Sequence, residues 1–319
     1  SPVQRRVQGE VPQGPAEIVA PSSLILRQNL NSMPAQLIAF LTAIFYASAL
    51  VSARRGLNYS TPATVTCVSV VVQTVTLWSA VFLMGGIPRV SSAAVLLFVI
   101  VGVTQLGVRL LAYTGVDKIG ASRSSALQAI SPLIAAGIAI VFLDEKPSAA
   151  VVVGTILVVA GIILVSWRAE EQIPTFRWWH LLFPLAAAFL TGMNHPIRRY
   201  ALSLSNEPLF FAAVMGTVSL ISFAGYMALS PATQRLVWSP KAFWPFLLTG
   251  LCETLSILFI VTALSVGSVV VVAPIAATYP VWALLGAIIF LRDVEQVNIL
   301  TIIGTLSVVA GTTAIYLGN

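Results

Sequence analysis

Read for where apolar stretches give way to polar ones, the chain falls into ten apolar runs, near residues 36–53, 63–84, 93–114, 121–143, 148–167, 179–197, 208–229, 242–264, 268–291 and 297–317. A helix needs about 20 apolar residues to cross the hydrocarbon layer. The pattern therefore predicts an all-α, polytopic membrane protein with ten transmembrane helices. Connections are mostly short and leave no room for a soluble domain; the longest are RAEEQIPTFR after Trp167, at the midpoint, and SPATQRLVWSPK after Leu229. Residues 1–34 differ from all that follows: Pro2, Pro12, Pro15, Pro21 and Pro34, scattered charges, and no apolar run longer than Leu24-Ile25-Leu26. They read as a disordered tail rather than a signal peptide, whose apolar core takes at least about seven residues. MPAQLIAFL from Met33 reads as a natural start, so the tail is expected to be an extension.

The second half repeats the first. GASRSSALQAISPLIAAGIAIVFLDEK, from Gly120, is echoed by GSVVVVAPIAATYPVWALLGAIIFLRD, from Gly267. At an offset of 148, Gly102 meets Gly250, Gln105 meets Glu253, Thr114 meets Thr262, Pro132 meets Pro280 and Phe142 meets Phe290. Offsets of 144 and 146 bring Arg54-Arg55 onto Arg198-Arg199 and Thr61-Pro62 onto Glu207-Pro208, and 150 brings Gly154 and Gly161 onto Gly304 and Gly311. The repeats are expected at 35–168 and 178–318. Five crossings is an odd number, so the second copy enters the membrane upside down. Inverted repeats recur in secondary transporters, with the substrate site where the copies meet.

Composition agrees: 58% of residues are hydrophobic and 9% charged, with a mean hydropathy of +0.94. The net charge of +6 does not point to nucleic acid, because basic residues stand singly or as the pairs Arg54-Arg55 and Arg198-Arg199 at run ends. Such residues anchor helix ends at headgroups. Cys67 and Cys252 lie inside apolar runs and read as small buried hydrophobes.

Ten runs in two copies, a fourth run ending FLDEKPS or FLRDVEQ, and a fifth containing GTILVVAG or GTLSVVAG resemble the EamA branch of the drug/metabolite transporter superfamily. The family motif commonly reads Pro, about ten apolar residues, then Leu-Gly-Glu; Asp144 and Arg292 replace its glycine. The resemblance covers residues 36–317. It implies a secondary carrier, usually an exporter of small metabolites, amino acids or drugs, in a bacterial-type cell membrane with cytoplasmic termini. Basic residues do not decide orientation, being seven on one side and eight on the other.

Three ionisable residues lie well within runs: Arg109, Arg123 and Glu253. An intramembrane charge usually faces a cavity or a partner. Glu253 aligns with Gln105, one turn from Arg109, so these approach across the pseudo-twofold axis. Two readings stand: Arg109 and Glu253 flank a substrate cavity, or they form a structural ion pair between the copies. Polar residues at helical spacing extend the candidate set: Gln105, Arg109 and Tyr113; Ser124, Gln128 and Ser131; Thr249, Glu253 and Ser256. Tyr46, Thr191, Asn194, Thr278 and Tyr279 are further cavity candidates. Pro132 and Pro280 each remove a backbone hydrogen bond and are candidate hinges. Trp178, Trp179 and His180 read as an interfacial anchor, and His195 as a helix-end polar residue.

The function expected is a secondary transporter of a small-molecule substrate, working by alternating access in the lipid bilayer without cofactor or metal. Protons are a candidate coupling ion through Glu253, although a nearby Arg109 favours the ionised carboxylate and competes with that role. An amphoteric solute suits the pair, but drugs and other metabolites fit too. An intramembrane enzyme is the alternative and finds no His-Glu-x-x-His, paired aspartates or Ser-His pair. A membrane scaffold would want an effector domain, and no Gly-x4-Gly-Lys-Ser/Thr motif supports ATP-driven pumping.

Overall fold

The computed structural model describes residues 33–119, 127–166, 177–229, 236–290 and 299–318. All regular structure among them is helical. Helices α1 (Ala35–Leu57), α2 (Pro62–Leu83) and α3 (Ser92–Ile119) match the first three apolar runs. Helix α4 (Ser131–Phe142) is the second half of the fourth, and α5 (Ala149–Ser166) is the fifth. A 3-10 turn (Trp178–Leu181) leads into α6 (Leu182–Leu204), followed by α7 (Pro208–Leu229) and α8 (Pro240–Val266). The ninth run is split into α9 (Val269–Ala276) and α10 (Tyr279–Phe290), and α11 (Ile299–Leu317) closes the bundle. Five of these helices, α1, α2, α3, α7 and α8, are long and apolar enough on their own to cross a membrane. The tail assigned to residues 1–34 lies almost wholly outside the described residues.

Local sequence explains where helices begin and break. Pro62, Pro208 and Pro240 each stand at a helix start, where a missing N–H costs nothing. The Thr61 hydroxyl accepts from the Thr64 amide at 3.4 Å, capping α2. Helix α2 ends at Gly85 and Gly86, with φ of +119° and +83°. Pro132 and Pro280 occupy the second position of α4 and α10. Each lacks an N–H and crowds the carbonyl four residues back. The chain accordingly turns at Ala129-Ile130 and at Ala277-Thr278, equivalent positions in the two copies.

Packing shows the inversion directly. Helices α5 and α11, equivalents in the two copies, cross through four glycines. A Cβ on Gly154 would lie 2.6 Å from the Gly311 carbonyl oxygen, and one on Gly161 would lie 2.6 Å from that of Gly304. The earlier glycine of one helix thus meets the later glycine of the other, so the two run antiparallel. The reverse approaches, Gly311 to the Gly154 oxygen at 2.6 Å and Gly304 to the Gly161 oxygen at 2.7 Å, complete a two-fold pair. The same operation relates Gly102, tight against Val218, to Gly250, tight against Val72. It also relates Phe98 stacked on Phe211 to Phe246 packed with Val65. Helix α1 lies along α8 and α3 along α6, so every major interface joins one copy to the other. Outside, Val75, Phe82, Leu96, Val141, Ile156, Ile221, Ile303 and Leu306 are exposed, the outward apolar surface that lipid covers. The protein is an integral multi-pass membrane protein of two inverted five-helix repeats.

The turn after α4 links the copies at the end of the bundle where α1 begins. Asp144 has φ of +53°, a left-handed conformation that glycine takes freely and aspartate tolerates. The residue standing in place of the motif glycine is therefore at a position that favours glycine. This turn carries Glu145 to the start of α9, where Oε1 accepts from the Val269 amide at 2.8 Å and Oε2 from the Val270 amide at 2.9 Å. A carboxylate there satisfies two orphan donors and meets the positive helix end. Glu145→Ala is expected to cost about 1–2 kcal/mol, read as a lower thermal midpoint in detergent, whereas Asp144→Gly leaves the midpoint unchanged or raised.

Candidate functional site

Between the copies, midway along the helices, lies a cavity of ≈ 170 Å³. Its walls come from α1, α3, α6 and α8, from Gln128 and α4, and from α9 and α10, so equivalent segments of both repeats contribute. The breaks in the fourth and ninth runs lie at this wall, because the turns and helix starts beside them supply Ser131, Pro132, Ala277 and Tyr279.

Several residues singled out in the sequence line the cavity: Tyr46, Gln105, Gln128, Ser131, Pro132, Thr191, Asn194, Ser256 and Tyr279. The Tyr46 and Tyr279 rings meet edge to face at 4.7 Å, one from each copy. Asn194 Oδ1 is 2.8 Å from Thr104 Oγ1, tying α6 to α3. The Ser256 hydroxyl donates to the Thr42 carbonyl at 3.1 Å, tying α8 to α1; these two links join equivalent helix pairs.

Others lie elsewhere. Thr249 is buried between α8 and α1, with its hydroxyl 2.9 Å from the Pro245 carbonyl and 3.4 Å from that of Ala49. Arg109 Nη2 donates to Glu253 Oε2 at 3.1 Å, their side chains 16% and 13% exposed. Neither belongs to the cavity lining. The pair joins α3 to α8 one turn beyond Gln105 and Ile257, on the side of the cavity away from the start of α1. Pro280 stands beside Tyr279 without lining the cavity, and Thr278 is buried, its hydroxyl donating to the Ile275 carbonyl at 2.8 Å. Tyr113 is in α3 and its side chain is not among those described; Arg123 and Ser124 lie outside the described residues.

Arg198, His195 and Thr42 line the cavity and were not among the sequence candidates for it. Arg198-Arg199, expected as a headgroup anchor, does something different. The helix continues to Leu204, so these neighbours point about 100° apart within it. Arg198 is buried, 5% exposed, and its Nη2 donates to Gln105 Oε1 at 2.9 Å. Arg199 Nη1 donates to the Leu264 and Ser265 carbonyls at 2.8 and 3.1 Å, capping the end of α8. The signal was present: Thr191, Asn194, His195 and Arg198 fall at i, i+3, i+4 and i+7, one stripe of α6. Ending the run at 197 cut that stripe short.

His180 lies buried in the 3-10 turn that leads into α6. Its Nδ1 accepts from the Arg177 amide at 3.2 Å, and Trp179 lies against it at 4.2 Å. No group of three His, Cys, Asp or Glu side chains comes together among the described residues.

A membrane protein built as two inverted repeats about a shared polar cavity is what fold and site define. Residues 33–167 and 177–317 each match the model of the EamA-like transporter family. The chain belongs to that family, and so to the drug/metabolite transporter superfamily: it is a membrane transporter. A solved crystal structure, described only as that of a protein, superposes with a TM-score of 0.72 at 15% identity, over 89% of this chain and 96% of its own length. At that identity it supports the fold alone. No curated protein matches the sequence.

Proposed function

We propose that the protein is a secondary carrier, not an enzyme, which moves a small solute through the cavity by alternating access and serves as an exporter in a bacterial-type cell membrane with both termini cytoplasmic. The observation that supports this best is the pair of equivalent breaks at Ala129-Ile130 and Ala277-Thr278 in the cavity wall. Discontinuous helices let one half tilt while the other stays packed, and they recur at carrier binding sites. Pro132 and Pro280 hold those breaks open and are the proposed hinges.

Solute contacts come from Tyr46, Gln105, Gln128, Ser131, Asn194, Ser256 and Tyr279, joined by Arg198 and His195. Glu253 is engaged by Arg109, and no residue of the described lining is acidic. Exchange or uncoupled transport therefore fits better than proton antiport. Purified protein in proteoliposomes, loaded with a panel of small metabolites and assayed by counterflow, should show saturable uptake of at least one solute, unchanged when a pH gradient is imposed. Absence of counterflow across a broad panel from correctly folded protein would count against the carrier reading; gradient-driven accumulation would restore proton coupling.

A further inference from the structure

Arg198 is the observation that goes furthest. Its guanidinium is almost wholly buried in the cavity wall, and among the described residues Gln105 alone hydrogen-bonds it. Among the described residues its Nε is buried without a hydrogen-bond partner, and so is Nδ1 of the neighbouring His195. No carboxylate lies within ion-pair reach of Arg198 among the described residues. The other two cations nearby are engaged, Arg109 by Glu253 and Arg199 by the carbonyls closing α8. A buried charge without a counter-charge is costly, and inside a membrane such residues face a pathway or a partner.

We infer that the cavity takes small organic anions, with Arg198 as the group that holds their carboxylate or phosphate. The inference rests on the carrier reading of the cavity and names the class of solute. Guanidinium offers a planar fork of N–H donors that matches two oxygens of a carboxylate or phosphate. Gln105, whose Oε1 already accepts from Arg198, keeps its amide NH2 to donate to the same anion. His195 Nδ1, as an acceptor, meets a hydroxyl of the solute. A neutral solute leaves the guanidinium uncompensated, and a cation is repelled by it. The volume of ≈ 170 Å³ limits the solute to a few heavy atoms, near the scale of a cavity that holds benzene.

The test uses three solutes of similar size and different charge: lactate, lactamide and 1-amino-2-propanol. Each is titrated against the purified full-length protein in phosphatidylcholine nanodiscs, with the thermal midpoint as readout. Lactate should raise the midpoint in a saturable manner and the other two should not. Arg198→Gln should weaken the lactate response by about tenfold or more, and Arg198→Lys should keep part of it, which separates lost charge from lost fold. An equal response to all three solutes, including none, overturns the inference, as does an undiminished lactate response in Arg198→Gln. A phospholipid headgroup carries the same phosphate chemistry, offset by choline in phosphatidylcholine but net negative in phosphatidylglycerol, so the titration is repeated with phosphatidylglycerol added. Stabilisation by that lipid with no effect of lactate in phosphatidylcholine alone would assign Arg198 to lipid and reject a soluble anion. Counterflow in proteoliposomes keeps the two readings apart. Lactate binding without transport of any solute leaves the anion site and removes the carrier, whereas transport confined to cations leaves the carrier and removes the anion site.

Discussion

Gly161→Val and Gly304→Val are each expected to lower stability by about 2–4 kcal/mol. Even the Cβ of alanine at Gly161 would lie 2.6 Å from the Gly304 oxygen, and one at Gly304 would lie 2.7 Å from the Gly161 oxygen. Both oxygens belong to helical backbone and cannot rotate away, so relief requires α5 and α11 to separate. In lipid, helices associate through close packing more than through water exclusion, and separation forfeits that packing over the whole crossing. Gly137 and Gly225 serve as controls, since a Cβ on either meets nothing within 4 Å. Gly137→Ala and Gly225→Ala should be neutral or stabilising by up to about 1 kcal/mol. Thermal unfolding and monodispersity of purified protein read the difference. The double variant Gly161→Val/Gly304→Val should cost less than the sum of the singles, because both side chains push open one interface. Equal midpoints for Gly161→Val and Gly137→Ala would contradict the crossing.

The second large effect is expected at the ion pair between α3 and α8. Arg109→Gln takes the cation from the Glu253 carboxylate and Glu253→Gln takes the carboxylate from the Arg109 guanidinium, each at about 2–3 kcal/mol, at or below the range for fully buried pairs because both side chains retain some exposure. Removing both charges in Arg109→Gln/Glu253→Gln should recover most of the loss, since a shape-matched neutral pair pays no desolvation. The cycle also decides between the two readings that the sequence left open. A purely structural pair predicts a double variant with restored stability and intact counterflow. If stability returns while transport stays absent, the pair takes part in the transport cycle.

Where helices lie was largely legible in the chain, because the bilayer demands unbroken apolar length and the runs at 63–84 and 208–229 supply it without ambiguity. Breaks in the fourth and ninth runs were legible only as Pro132 and Pro280, since proline states that a bond is missing and not how far the chain then turns. The two-fold arrangement could be read from Gly154, Gly161, Gly304 and Gly311, whose spacing persists because no side chain fits there. Polar triplets led to Gln105, Gln128, Ser131 and Ser256 in the cavity lining, yet the same logic proposed Thr249, which faces α1. Helical periodicity assigns residues to a stripe, and only packing decides what that stripe meets. Arg198 was hidden for a related reason: beside Arg199, it has the appearance of a helix-end anchor. It belongs in the cavity because α6 runs on for six residues past it.

The crossing of α5 and α11 has one more implication. A contact that lies on a symmetry axis maps onto itself, so if the copies trade shapes this glycine clasp survives unaltered. Contacts off the axis have no such protection. The bridge from Arg109 to Glu253 is such a contact: at the offset of 148 its counterparts are Ile257 and Gln105, which cannot form an ion pair, so trading shapes breaks it without an equivalent. If the copies do trade shapes, the clasp is the fulcrum, and this unequal link makes the two end states differ in energy, giving the bundle a resting posture to which it returns.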